Sequence, residues 1–216
     1  MLAFTTPAPR SHRTFGLGRS LLTCLFAAGT AFSSLAGPGK VLPPQAQPLG
    51  YSLDEMASAI ANFSITGNDP AFYPDTPFQI IHLSADNTFT VGKGTYLYVK
   101  FFFIDDAAPT LGDWPADESE VGDYIFGSSQ LGGHDLQIEV DGKVTSINEL
   151  GYVGGPVATP DSPDGSSEVI QMGAFVSPLK KGQHTIIIRG IFDGDAVVNA
   201  IGGAYEFEVP YTIIVE

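Results

Sequence analysis

The sequence predicts an all-β domain: an antiparallel two-sheet sandwich, immunoglobulin-like or jelly-roll, with one short N-terminal helix. Three observations carry this. In Tyr205–Val215, Tyr205, Phe207, Val209, Tyr211, Ile213 and Val215 fall on one side, while Glu206, Glu208, Pro210 and Thr212 fall on the other. A two-residue period of this kind belongs to an extended strand with one buried and one wet face. Apolar runs then recur at short intervals between Gly, Asp, Asn and Pro, as in all-β folds. Finally, a single stretch carries a useful helical period, which excludes a parallel sheet with a helix between successive strands.

The first 36 residues read as an export signal for the Sec route. Arg10, Arg13 and Arg19 precede an apolar run, Leu21 to Phe32, too short to span a bilayer. Ser34-Leu35-Ala36 places small residues at the −3 and −1 positions of a cleavage before Gly37. An uncleaved anchor is disfavoured by the small and polar residues after Cys24, and lipidation at Cys24 by Thr23 and the apolar run that continues past it. Residues 37–50 hold Pro38, Pro43, Pro44 and Pro48 and read as an extended tether. Residues 51–216 form one domain, long enough to bury a core without disulfides, since Cys24 is the chain's one cysteine.

Charge narrows the partners. The whole chain carries a formal −14, and all 24 acidic residues follow residue 36, against seven of the ten basic ones. Such a surface repels nucleic acid and anionic membrane and attracts cations. The expected setting is therefore secreted or periplasmic, with no nucleic-acid partner and no integral membrane span after the signal.

Along the domain, Ser52-Leu-Asp-Glu55 is a capping box, and Leu53, Met56, Ile60 and Phe63 share one helical face. A helix is predicted from Leu53 to Asn62, lying across an end or face of the β core. Strands are predicted at Phe78–Ser84 and Thr88–Val91. Thr95–Ile104 is apolar on both faces and reads as a central strand. Leu136, Ile138 and Val140 alternate with polar neighbours before Asp141-Gly142, a hairpin turn into Lys143–Ile147. Glu168–Val176, Gln183–Phe192 and Tyr205–Val215 complete the set. Two irregular insertions, Asp105–Gly133 and Leu150–Ser167, are where a sandwich would carry function.

The densest chemical cluster is Asp105, Asp106, Asp113, Asp117 and Glu118, with Glu120 and Asp123 close behind. Hard carboxylate oxygens on a loop suit Ca²⁺, although the spacing is not that of an EF-hand. The competing reading is a solvated acidic loop. Trp114, the chain's one Trp, is a candidate for stacking on a sugar ring, or for a plug into the core beside Pro115. His82 shares a strand face with Phe78 and Ile80 and reads as a structural histidine. His134 and His184 begin strands and would form a ligand site if they met at one end of the sandwich. Carboxylate pairs for glycoside cleavage can be drawn at will among so many acids, so they select nothing. No His-Glu-x-x-His, Gly-x-Ser-x-Gly, dinucleotide or Walker motif is present.

Val140-Asp-Gly-Lys143, Ser177-Pro-Leu-Lys-Lys-Gly-Gln-His184-Thr-Ile-Ile-Ile and the closing Tyr211-Thr-Ile-Ile-Val215 resemble a group of uncharacterised bacterial secreted β-sandwich proteins. The shared pattern is a Val-Asp-Gly hairpin, then Pro-Leu-x-x-Gly-x-His-x-Ile, then a final Tyr-x-x-x-Val strand, and it spans about residues 68–216. The resemblance implies the scaffold and no particular reaction. The favoured expectation is a non-catalytic structural or binding module that meets a surface ligand or glycan through Trp114, His134 and His184. A hydrolase of polysaccharide or another envelope polymer is the alternative, and a Ca²⁺-stabilised surface protein a third.

Overall fold

The structure, a computed structural model, describes residues 39–159 and 162–216. The expected export signal lies outside the described residues. The fold is mostly β, with two sheets facing each other across one core and a helix on the far side of the smaller sheet.

The first helix, α1 (Leu53–Ile65), starts at the capping box: Ser52 Oγ accepts from the Glu55 N–H at 3.2 Å, and Glu55 Oε2 accepts from the Ser52 N–H at 2.6 Å. Two otherwise orphaned donors are satisfied, worth about 1 kcal/mol. Met56, Ile60 and Phe63 are buried against the outer face of the four-stranded sheet, with Phe78, Tyr98 and Phe175. Full burial of each such side chain contributes about 1.5–3 kcal/mol. The helix runs three residues beyond Asn62, because Phe63 and Ser64 are buried too.

The four-stranded sheet has the order β1 (Gln79–Ile81), β3 (Leu97–Asp105), β7 (Glu168–Val176), β6 (Val153–Ala158). The five-stranded sheet has the order β2 (Thr88–Val91), β9 (Tyr205–Val215), β8 (Gly182–Phe192), β4 (Gly133–Val140), β5 (Lys143–Ser146). β3 is an interior strand with both faces covered, one by the opposite sheet and one by α1, which explains its doubly apolar sequence. At the β4–β5 turn, Asp141 (φ 49°) and Gly142 (φ 81°) both take left-handed backbone, the geometry that hairpin twist requires.

Four features depart from expectation. Within the expected irregular insertion Leu150–Ser167, Val153–Ala158 forms β6, paired antiparallel with β7 at the sheet edge. The sheets are mixed rather than antiparallel: β1 runs parallel to β3, and β2 runs parallel to β9. The chain leaves β1, crosses to the other sheet as β2 and returns as β3, so β3 re-enters beside β1 in the same direction; a hairpin would have reversed it. Two further helices occur, α2 (Val121–Phe126) and α3 (Asp195–Ile201). Each is under two full turns, too short to show a helical period. Lastly, the proline-rich segment docks rather than standing off: Val41 bridges Val176, the Leu42 N–H donates to Phe175 O at 2.8 Å, and Leu42 is buried.

Candidate functional site

β1 and β2 are short, and both stop early on the same side of the sandwich. β1 pairs only with Leu97–Val99 of β3, and β2 only with Thr212–Val215 of β9. Among the described residues, no strand covers β3 from Lys100 onward or β9 from Tyr205 to Tyr211 on that edge. A cavity of about 350 Å³ opens there, between the two sheets. That is the lower end of the size range of small-molecule sites.

Its walls are largely aromatic. From β9, Tyr205, Phe207 and Tyr211 present alternate side chains to it, with Val209 between. From β3 come Phe101, Phe102 and Phe103. Three successive phenylalanines can reach one cleft because a β-bulge falls between Lys100 and Phe102 and turns the strand. The freed Phe102 carbonyl accepts from Gln171 Nε2 at 2.8 Å. Phe101 meets Phe207 edge-on at 5.4 Å, and Phe102 lies 4.5 Å from Phe192. Tyr205, half-exposed, stands at the mouth with Leu83.

Three polar side chains share this lining: Asn68, His82 and Lys100. Lys100 is only 8% exposed. Its Nζ donates to Asn68 Oδ1 at 2.5 Å and sits over the rings of Phe103 (4.7 Å) and Phe63 (5.6 Å). None of the described carboxylates forms an ion pair with it. Burial pulls the ammonium down to about 8. Asn68 is itself oriented, with its Nδ2 donating to Leu83 O at 3.3 Å and its backbone N–H to Phe63 O at 2.8 Å. His82 packs edge-on to Phe63 and Phe89, with Nδ1 3.1 Å from Ile80 O. Burial lowers its pKa, and the Lys100 charge adds to that, against the opposing hydrogen bond to Ile80. The imidazole is therefore neutral at pH 7.

The residues singled out from sequence lie elsewhere. His134 pairs with Ile191 of β8, seven residues from His184 and about 23 Å away at strand rise, so the two histidines stand at opposite ends of that strand. His134 Nδ1 faces Gly132 O at 3.1 Å and Asp193 Oδ1 at 3.4 Å. His184 Nδ1 faces Asp141 Oδ2 at 2.6 Å, and its Nε2 faces Lys180 O at 2.8 Å. Trp114 is part-buried, donates Nε1–H to Glu168 Oε2 at 3.1 Å, and meets Tyr124 edge-on at 5.6 Å. It packs against the core as a part-buried residue and also lines a surface hollow with Asp113, Pro115 and Tyr124.

The acidic residues are divided. Asp106 accepts from the Ser167 N–H (2.6 Å), the Ser167 hydroxyl and the Glu168 N–H (3.0 Å), tying the two insertions together. Asp105 accepts from the Ala107 N–H; burial raises its pKa, and the charges of Asp164 and Asp106 add to the rise. Asp113 exchanges hydrogen bonds with Gln130. Asp117 accepts from the Ser119 N–H and hydroxyl, beside Glu118, in a separate hollow. Among the described residues, no three His, Cys, Asp or Glu side chains converge as metal ligands. Asp106 and Asp113 tie distant segments together, whereas Asp105 and Asp117 cap local turns.

The cleft escaped the sequence reading. Lys100 was hidden inside an apolar strand, and the one visible signal was a lone cation within Tyr96–Ile104, where a central strand has no place to solvate it.

No family model and no curated protein matches the chain. Among solved structures, the solution structure of amebosin matches with 14% identity over 65% of this chain and all of that one, at a TM-score of 0.24, too slight a likeness to carry an argument.

Proposed function

We propose that this chain is an exported, non-catalytic β-sandwich module that binds an apolar small molecule in the cleft between its sheets. The observation that carries the reading is the aromatic cavity at the edge where both short strands stop. A core closed on all sides needs no such opening, and rings from two sheets offer a ligand both stacking and burial. The export half of the reading rests on the basic and apolar pattern of residues 10–36. The segments 105–133, which carries α2, and 150–167, which carries β6, then act as supports, with Asp106 as the tie between them.

The test uses N-phenyl-1-naphthylamine, a neutral fluorophore that brightens in apolar sites. The wild-type protein should give a saturable rise with a dissociation constant in the micromolar range. Val209→Trp, which fills the cleft from β9, should abolish the rise while leaving the circular dichroism of the sheets unchanged. A flat titration of the wild type would remove the proposal.

A further inference from the structure

Lys100 is hard to explain as a structural residue. A buried ammonium normally finds a carboxylate, because desolvating a charge without a counter-charge is expensive. Here the hydrogen-bond partner is Asn68, a neutral amide, and the remaining neighbours are the faces of Phe63 and Phe103. An ammonium has three donors, and Asn68 takes one. The side chain also lines the cavity, so its free donors are within reach of whatever enters. Everything else that faces the cleft is aromatic, aliphatic or neutral: His82 beyond β1, Leu83, and Tyr205, Phe207, Val209 and Tyr211 on β9. The titratable groups that share the lining with Lys100 are therefore His82, Tyr205 and Tyr211, and none of them is a carboxylate.

One cation in an otherwise uncharged, largely apolar lining makes an amphiphile site. We infer that the ligand is a singly charged carboxylate with an apolar tail, its carboxylate paired with Lys100 Nζ and its tail laid along Phe101, Phe207 and Tyr211. The charge count selects the head group, since one ammonium neutralises one negative charge and a doubly charged phosphate would leave an uncompensated anion in the cleft. The volume selects the tail, because about 350 Å³ holds a medium-length alkyl chain or a pair of rings and no more. The lowered ammonium pKa adds a consequence: pairing with the carboxylate favours the charged lysine, so the protein takes up a proton as the ligand binds near pH 8.

This inference rests on the cleft being a binding site, and the experiment separates the two. Decanoate and decanol are titrated into the full chain by displacement of N-phenyl-1-naphthylamine, at pH 7 and at pH 9.5. The expected result is at least tenfold tighter binding of decanoate at pH 7, with the preference falling severalfold at pH 9.5 as the amine loses its proton. The alcohol serves as the control for titration of His82, Tyr205 and Tyr211. Lys100→Met should lose the preference for decanoate at both pH values and bind decanol the more tightly, since the ionised acid then enters the cleft without a counter-charge. Equal displacement by acid and alcohol in the wild type overturns the carboxylate assignment and leaves the cleft as a neutral site. Failure of both ligands and of the fluorophore overturns the assignment together with the reading beneath it. Should Lys100→Met not fold, the pH dependence of the wild type decides alone.

Discussion

Ser64 Oγ donates to Gln171 Oε1 at 3.0 Å, a buried hydrogen bond between residues 107 apart that joins α1 to the centre of the four-stranded sheet. Gln171, 1% exposed, uses its Nε2 to hold Phe102 O at the bulge and Met172 O beside it. One amide therefore connects the helix, the sheet and the turn of β3 that points the phenylalanines into the cleft. Gln171→Met leaves the Ser64 hydroxyl and the Phe102 carbonyl unsatisfied and should cost about 2–3 kcal/mol in chemical denaturation. Adding Ser64→Ala should recover part of that loss, a non-additivity of about 1 kcal/mol.

Lys100 predicts a stability that rises with pH. Its folded pKa of about 8 lies below the usual 10.5, so folding is favoured most above 10.5, and the advantage is lost as pH falls towards 8. At neutral pH the buried charge therefore costs roughly 1–3 kcal/mol. Lys100→Met should be more stable than wild type by about that amount at pH 7, with the gap nearly closed at pH 10.5. Denaturation midpoints of the two proteins at both pH values check this, since other groups cancel in the difference.

His184 works in the opposite sense. Burial opposes its charge, but the hydrogen bonds to Asp141 and to Lys180 O, with the Asp141 charge, outweigh it and raise the pKa above 6.5. The contribution is fully present below pH 6.5 and lost as pH climbs through the folded value. Asp141 also accepts from the Thr185 N–H at 3.0 Å, so the pair staples the β4–β5 turn to β8. The difference in melting temperature between wild type and His184→Gln should shrink from pH 6 to pH 9, the Lys100 contribution cancelling between the two proteins.

Trp114 should behave as a core residue. Its ring packs on Tyr124, whose hydroxyl donates to Leu111 O at 2.7 Å. Trp114→Phe should destabilise by about 1–2 kcal/mol through lost contact area and the lost bond to Glu168. Because it is the chain's one Trp, its fluorescence in the wild type should follow unfolding and remain unchanged across a panel of soluble glycans.

Gly132 (φ 64°) lies where β4 begins, and a Cβ there would overlap the backbone N of Gly194. The Gly194 N–H donates to Leu131 O at 3.0 Å, so the two segments cannot separate cheaply. Gly132→Ala should cost about 2–4 kcal/mol, from the left-handed backbone and the overlap together, in urea denaturation.

What could be read in the residues was periodic and local. The alternation of Tyr205–Val215, the two-faced apolarity of β3, the capping box at Ser52 and the Asp-Gly turn at 141–142 each have one good solution, and the structure adopts it. What could not be read was long-range. Whether β1 meets β3 as a hairpin or as a parallel neighbour depends on where the chain travels between them, and residues 82–87 look the same in either case. The same holds for the site. Asp105, Asp106, Asp113 and Asp117 are close in sequence, yet each accepts from or pairs with a different residue. Lys100 and Tyr211 are far apart in sequence and line one cavity. Clusters in a sequence identify chemistry only where the fold keeps neighbours together, as a helix face does and a long insertion does not.

The partnership of β2 with β9 sets the order in which the molecule can be assembled. Thr88 waits for Thr212, more than a hundred residues downstream, whereas β4 and β5 find each other at once. Distant pairings of this kind come late, after local hairpins and the α1 face have formed. Both walls of the cavity are in place only when β9 has docked, so the cleft belongs to the finished chain alone and is absent from any copy that still lacks its last strand.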